Sequence, residues 1–384
     1  PVFGGLLLSG LWWGLVFLMG APVMVLVLAA GHATLPEYRD ATATRLDLAS
    51  VALFLLGILP IVYAVKRTAE LGWQLPVTAI GLTGLVFGWM FVRRQRTLAS
   101  PLLDLKLFRT PAFAGALAVL FFAMLALNSV EYLIPQFLQL FGGMGPVEAG
   151  MWLLPSAATF LLGSQLTPLL VRRLRPAHVI ALAMVISLLG YLLALIAERP
   201  LHAAIAATVI MLGVGPISVL GTDLAVGSAP AEKAGSAAAA GQTAYDLGLA
   251  MGIAITGSLA VAVYREEIAA TTPAGTPDEA ATAARDTLGA AIGAAERLPE
   301  STAKPFVAAA KDAFLSGFGA AAAVSAGVAV LVIVVVLSTL RHVRPSGAGA
   351  ETASKPRADP DVTETAAAGG EPGNIDPATK AIAT

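Results

Sequence analysis

The 384 residues are 57% hydrophobic and 13% charged, with no cysteine and a formal net charge of −1. Soluble domains carry about 25% charged residues, so this balance excludes an ordinary soluble chain, and without a long basic tract nothing points to nucleic acid. The lack of cysteine excludes disulfides, thiolate chemistry and sulfur-ligated metals.

Apolar stretches of about 18 to 25 residues, long enough to cross a bilayer as helices, recur along most of the chain. The sequence opens inside one. Pro1 is followed at once by VFGGLLLS, with neither a methionine nor a charged signal region before it, and this reads as a chain lacking its upstream helices. A second span runs from about Trp13 to Ala30, with Trp12 and Trp13 suited to a membrane interface. The polar segment His32 to Arg45 leads into a third span, about Leu46 to Val65, and a turn at Gly72 and Trp73 leads into a fourth, about Pro76 to Val92. The connector RRQRTLASPLLDLKLFRTP is basic and amphipathic. Its Leu102, Leu103, Leu105, Leu107 and Phe108 suit the bilayer surface, and its charges suit an inward loop.

A fifth span covers about Ala112 to Phe141 and turns at Gly142 and Gly143; a sixth, Ala149 to Val171, ends at the basic loop RRLRPAH. The seventh runs from about Val179 to Ile196. The eighth, about Ala203 to Leu224, holds Gly213, Gly215, Pro216 and Gly221, a composition that predicts a loosened or kinked helix with close neighbours. A ninth span, Lys233 to Tyr264, is followed by a long polar insert, Arg265 to Lys311, and a tenth span, about Ala313 to Leu340. In the insert, T-P-D-E from Thr276 reads as a capping box, and Ala280, Ala284, Leu288, Ala291, Ile292 and Ala295 trace an apolar stripe. A helical hairpin with Pro299 between its arms is expected on the outer face. The remainder after Arg344 lacks the apolar residues to fold. Thirteen basic residues in the loops of one side face three in the short loops of the other, which predicts a cytoplasmic C-terminus. The fold expected is an all-α polytopic membrane protein of about ten transmembrane helices.

The chemistry concentrates in the ninth span, where Asp246 is a lone carboxylate in an otherwise uncharged apolar run. A central Asp costs roughly 2.5 to 3.5 kcal/mol in a bilayer, so it marks a functional site when it faces a bundle interior or a wet cavity. Gln242 and Thr243 precede it by four and three residues and share its face. Gly248, Gly252 and Thr256 form a small-residue ladder on another side, suited to close helix packing. Glu131, in the fifth span, is a second candidate, with Asn128 one turn before it and Pro135 one turn after. Asp223, near the inner end of the eighth span, suits solvation or a salt bridge. Gln136, Gln139 and Gln165 are candidate hydrogen-bonding groups of a cavity also lined by Asn128. Phe121, Phe122, Met124, Trp152 and Phe160 are candidate walls for a flat lipophilic cation. His32, His178, His202 and His342 all lie at span edges, against the clustered imidazole, carboxylate or hydroxyl of a membrane enzyme. The nucleotide motif GxxxxGK[ST] does not occur. Nothing resembles pore rings or the ligand domain of a receptor.

The stretch GTDLAVGSAPAEKAGSAAAAGQTAYDLGLAMGIAITGSLAVAVYR resembles the penultimate-helix region of the 14-span drug:proton antiporters of the major facilitator superfamily, in particular the antiseptic-resistance exporters. The segments ASPLLDLKLF, AGMWLLP and RLDLASVALFLLGILPIVYAV are similar to their counterparts there, and Pro1, Gly4 and Gly5 resemble the end of the family's GPxxGG antiporter motif in helix five. The resemblance implies that residues 1–30 close an N-terminal bundle as helices five and six. Residues 31–110 would hold an inserted helix pair and the amphipathic connector. Residues 111–341 would form the C-terminal six-helix bundle, with an outer hairpin over 265–311, and 342–384 a disordered cytoplasmic tail. It implies rocking of one bundle against the other around a drug cavity, and export of lipophilic cationic drugs, dyes or antiseptics across the bacterial cytoplasmic membrane. A dedicated exporter of a secondary metabolite is the alternative. Where relatives often carry glutamate one turn before the Asp246 position, this sequence has Gly241 and Gln242, so a preference for doubly charged cations is not carried over. The expected partners are a small lipophilic substrate and the lipid bilayer. No nucleic acid, cofactor or metal is expected beyond the proton as coupling ion, and the protein is expected to act as a monomer. A carboxylate taken out of water binds a proton more readily and yields it to an approaching cation, so one acid can exchange proton for cargo.

Overall fold

Long apolar runs punctuated by glycine, proline and charged turns leave a bilayer-embedded backbone one economical solution, the helix, which satisfies its own hydrogen bonds. The computed structural model describes residues 4–7, 14–34, 47–98, 101, 103–230 and 233–340, all within the unit Pro1–Pro345, and every regular element among them is helical. Pro1, Trp12, Trp13 and the tail over 342–384 lie outside the described residues, as does most of the first expected span. Residues 4–7 are helical, and Gly5 lies so close to Pro146 that a β-carbon there would be 2.5 Å from its carbonyl oxygen.

After a single turn at Leu15–Leu18 come α1 (Gly20–Thr34), α2 (Leu48–Leu71) and α3 (Leu75–Thr97). Then α4 (Pro111–Glu131) gives way at Tyr132 and Leu133 to a short turn, Ile134–Gln136, and a π-helical segment, Phe137–Phe141. A two-turn helix, Pro146–Trp152, leads into α5 (Leu154–Arg173), followed by α6 (Pro176–Leu195) and α7 (Pro200–Gly227). Next are α8 (Ala234–Gly252), a second π segment at Ile253–Gly257, and α9 (Ser258–Thr271). The short α10 (Asp278–Asp286) and α11 (Leu288–Ala295) precede the 40-residue α12 (Glu300–Thr339). Helices α3 to α7 each carry proline at the first or second position, where the missing N–H has no intrahelical role. The turns after α2 and before Met144 use Gly72 (φ 74°) and Gly143 (φ 69°), in the left-handed region that favours glycine.

Eight segments among the described residues are long and apolar enough to cross a membrane, matching the third to tenth expected spans. This is a multi-pass membrane protein, and its surface says so: Leu161, Leu162, Leu169, Leu189, Val330 and Val334 are all exposed, a pattern suited to lipid rather than water.

α4 is the axis of the core. Phe113, Leu120, Met124 and Val130 are fully buried, and the helix touches α7, α8 and α12. α7 runs as one helix through Pro216, and its glycines serve the close approach expected of them. A β-carbon on Gly213 would meet the Ala183 carbonyl oxygen of α6 at 2.1 Å, and Ser187 of α6 donates to the Ile210 carbonyl at 3.1 Å. α2 and α3 pair with one another and reach the rest through α9 and the second π segment.

The insert differs from the expectation in part. Pro299 does lie between two helical arms, α11 and the start of α12, but it caps α12, which then continues without interruption through the tenth span. The capping box at Thr276 is not formed, because its hydroxyl donates back to the Pro273 carbonyl at 2.8 Å and α10 starts after Pro277. The apolar stripe packs inward: Ala280, Ala284, Leu288, Ala291 and Ala295 are buried, and the buried Tyr264 hydroxyl donates to the Ala284 carbonyl at 2.7 Å.

Two polar latches hold the connector. Arg94 and Asp47 form a bidentate pair at 2.8 and 3.0 Å, closing the ends of α2 and α3 on each other. The Arg94 guanidinium, helped by the Ser50 hydroxyl, holds the Asp47 carboxyl well below the usual carboxylate range. Buried Gln95 donates to Ser50 at 2.7 Å and accepts from the Leu103 amide at 3.2 Å. Beyond it, Lys233 at the start of α8 pairs with Asp104, whose carboxyl it holds below its ordinary value with help from the Lys106 amide.

Candidate functional site

α8 has two unlike faces because its small residues and its polar residues fall on opposite sides of a 3.6-residue turn. On one side Gly248 and Gly252 lie against α4. β-Carbons there would meet the Phe121 and Leu125 carbonyl oxygens at 2.3 and 2.5 Å. The contact continues as hydrogen bonds: Asn128 donates to the Leu249 carbonyl at 2.8 Å, and Ser129 and Thr256, both buried, join hydroxyls at 2.7 Å.

On the other side Gln242, Thr243 and Asp246 are exposed together. The Gln242 amide donates to one Asp246 carboxylate oxygen at 3.0 Å, and the Thr243 hydroxyl donates to the Ala239 carbonyl at 2.8 Å. No cation among the described residues pairs with Asp246. Gln242 therefore orients the carboxylate without neutralising it.

Glu131 has the contrasting environment. It is the last residue of α4, and its Oε2 is buried with no hydrogen-bond partner among the described residues. Tyr191 of α6, fully buried, lies within electrostatic reach of it. Of the two candidate carboxylates Glu131 is thus the more enclosed, whereas the sequence placed burial first at Asp246. Asp223 is exposed on α7.

The expected cavity-lining residues are not brought together. Asn128 is spent on the α4–α8 contact. Gln136 lines a cleft of about 410 Å³ shared by α2, α9, α12 and the insert, with Lys66, Arg265 and Asp286 at its rim. Trp152 lines a separate hollow against Leu201 and Thr208 of α7, Phe160 packs on the core beside Gly215, and Gln165 is exposed. Gln139 is half-buried in the first π segment. Met124 is sealed in the core, so it forms no ligand wall in this arrangement, and Phe122 packs on that core with its ring edge-on to Phe121 at 5.0 Å.

Sequence reasoning missed the two π segments and the latches. Neither π segment has a residue signature beyond Pro135 near one and Gly252 and Gly257 around the other. The Asp104–Lys233 pair joins positions 129 residues apart, and nothing local announces it.

Comparison with known proteins agrees with this architecture. The Major Facilitator Superfamily model matches residues 1–253. The chain is 35% identical over 329 residues to the multidrug efflux pump LfrA of Mycolicibacterium smegmatis, covering 85% of this chain and 65% of that protein. It is 30% identical over 322 residues to the methyl viologen resistance protein SmvA of Salmonella typhimurium (82% and 64%). It is also 29% identical over 351 residues to a tetracenomycin C resistance and export protein of Streptomyces glaucescens (88% and 65%). The chain spans just under two thirds of the length of these relatives. With the family's model covering well over half of its residues and an all-helical, multi-span architecture to match, the chain belongs to the Major Facilitator Superfamily.

Proposed function

We propose that this chain works in a secondary active multidrug exporter, which exchanges protons for lipophilic cationic drugs, dyes or antiseptics across the bacterial cytoplasmic membrane, with the C-terminus on the cytoplasmic side. The observation that carries the reading is the exposed Gln242, Thr243 and Asp246 face of α8, backed by a helix contact too tight to rotate. Facing lipid, this carboxylate would cost roughly 2.5 to 3.5 kcal/mol. Facing the cavity between two bundles, it becomes a fixed negative charge for which a proton and a cationic substrate compete. One charge that holds one or the other couples their movements, since each displaces the other by linkage. Rocking of the bundles then changes the side to which Asp246 opens.

The relatives named for multidrug efflux and for methyl viologen resistance support a cationic substrate. The alternative, a dedicated exporter of a secondary metabolite, draws on Gly241 and Gln242 in place of acidic residues and on the relative named for tetracenomycin C export. The test is efflux by the intact gene product with Asp246→Asn, in vesicles with an imposed proton gradient. Loss of cationic dye efflux together with loss of substrate-induced proton release is expected. Cationic dye export at the wild-type rate would remove Asp246 from the mechanism, and retained export of a neutral aromatic substrate alone would favour the metabolite reading.

A further inference from the structure

Beside the Asp246 face, the structure contains a groove that the proposed exchange does not use. It holds about 520 Å³ between the α2–α3 pair, the connector, α4 and α8, within the range of sites that take drug-sized ligands. Its walls are rings: Phe54 of α2 and Phe91 of α3, tilted with centroids 5.5 Å apart, then Phe108 of the connector and Phe121 of α4. The space between them exists because α4 and α8 present alanines, among them Ala118 and Ala239. The groove is preformed, since Gln95 fixes the Leu103 amide and Lys233 fixes Asp104 at its connector end.

Two features point to an occupant. Ser236 lines the groove, and its hydroxyl is buried without a hydrogen-bond partner among the described residues. Burying such a group unmade costs about 1 kcal/mol or more, which a turn of the Ser236 side chain toward a ligand acceptor or donor in the groove removes. The second feature is position. Thr243 and Leu247 belong to the groove wall, and Asp246 lies between them in sequence. From the helical repeat, Thr243 is about 60° and Leu247 about 100° round the axis from Asp246, with Thr243 about 4.5 Å along it. The negative charge therefore sits at the lip of the aromatic groove.

We infer that this groove is the loading site for the substrate's flat aromatic body, which reaches it from the lipid through the seam between the α2–α3 pair and the α4–α8 pair, with the cationic end at Asp246. This rests on the reading of Asp246 given above. A phospholipid acyl chain fits less well, because it offers nothing to the Ser236 hydroxyl and would bring an anionic phosphate toward a carboxylate. Cation–π attraction and aromatic packing favour the flat cation on the same walls.

The test uses the intact gene product in nanodiscs, with ethidium as the probe. Equilibrium Kd is read by fluorescence, efflux KM is read in cells, and bound phospholipid is counted by native mass spectrometry. Ala118→Trp fills the groove from α4. Ala239→Phe fills it from an exposed position on α8 and leaves the core untouched, so it decides the matter if the first variant folds poorly. Both are expected to raise Kd and KM roughly tenfold, equivalent to about 1.4 kcal/mol, with maximal efflux retained. Wild-type Kd in a folded variant overturns the inference, as does loss of bound phospholipid with ethidium affinity unchanged. The two readings fail separately. Raised KM in the groove variants with normal efflux in Asp246→Asn leaves the groove and removes the charge exchange. Abolished efflux in Asp246→Asn with wild-type Kd in the groove variants does the reverse.

Discussion

Adding one methyl group at Gly248 tests the α4–α8 contact on which the orientation of Asp246 depends. A β-carbon there would sit 2.3 Å from the Phe121 carbonyl oxygen and 3.0 Å from the Met124 β-carbon, whereas ordinary contact begins near 3.4 Å. The blocking atom is backbone, so no rotamer change relieves it, and the two helices must part locally by roughly 1 Å. Moved by that amount, the 2.8 Å Asn128–Leu249 bond and the 2.7 Å Ser129–Thr256 bond pass beyond hydrogen-bonding range. Overpacking of this kind costs about 1 to 3 kcal/mol, and interhelical hydrogen bonds in membranes are worth about 0.6 kcal/mol each. Against this, alanine improves helix propensity by about 1 kcal/mol, so Gly248→Ala should destabilise by roughly 1 to 3 kcal/mol net. Gly327 in α12 is the matched control, with open space where its β-carbon would be, and Gly327→Ala should gain up to about 1 kcal/mol. Thermal unfolding of the intact protein in detergent, followed by intrinsic fluorescence, gives the two shifts with opposite signs. Gly252→Ala on top of Gly248→Ala should cost less than it does alone, because the helices have already parted. If Gly248→Ala raises Tm as Gly327→Ala does, the close approach is wrong, and the exposed position of Asp246 loses its support.

Three further outcomes follow from the geometry. Pairing with Lys233 lowers the folded-state value of Asp104 below its ordinary 3.8; its contribution is therefore present above that value and lost as pH falls through the lower one. Asp104→Asn should cost about 0.5 to 1 kcal/mol at pH 7 for this half-exposed pair, and a pH series of Tm values should show the difference closing below the ordinary carboxylate range. Tyr264→Phe leaves the Ala284 carbonyl without its donor, costing about 1 to 2 kcal/mol; hydrogen exchange across α10 should accelerate, and unchanged protection there would refute the anchoring role. A double-mutant cycle of Ser129→Ala with Thr256→Val should return a coupling of about 0.6 kcal/mol, and zero coupling would mean that the two hydroxyls do not meet.

The spans were legible because a bilayer demands a length and a composition, and both can be read residue by residue. Gly72 and Gly143 marked their turns for a local reason as well, the left-handed φ that each adopts. That α12 runs as one helix from the arm after Pro299 into the tenth span was not legible. Glu300, Lys304 and Lys311 give its first turns the polarity of a loop, while Phe306, Ala310 and Ala313 bury a stripe that shows only once the insert is packed beneath them. Pro305, read alone, argues against a helix that in fact runs through it. The groove was illegible for the same kind of reason: Phe54, Phe91, Phe108 and Ser236 come from four separate segments, and their juxtaposition is a property of the packing.

The two carboxylates show where sequence reasoning stops. Composition puts both Asp246 and Glu131 at membrane depth, but enclosure is decided by how each helix is rotated against its neighbours. The ladder of Gly248, Gly252 and Thr256 fixes that rotation for α8, and because the ladder turns inward, Asp246 must turn outward. Glu131 has no such freedom, since it ends the most buried helix of the core among the described residues. The same level of the bundle is where regular geometry lapses: α4 breaks at Tyr132 and Leu133, and α8 widens into a π segment from Ile253, tied across by Ser129 and Thr256. A π segment leaves backbone groups short of their usual partners and bends more easily than an α-helix. Stiff, glycine-locked helix below this level and irregular helix at it means that a tilt of α8 relative to α4 is absorbed here first. The orphaned Glu131 oxygen stands at that point, where a change in helix geometry most directly changes which groups can reach it.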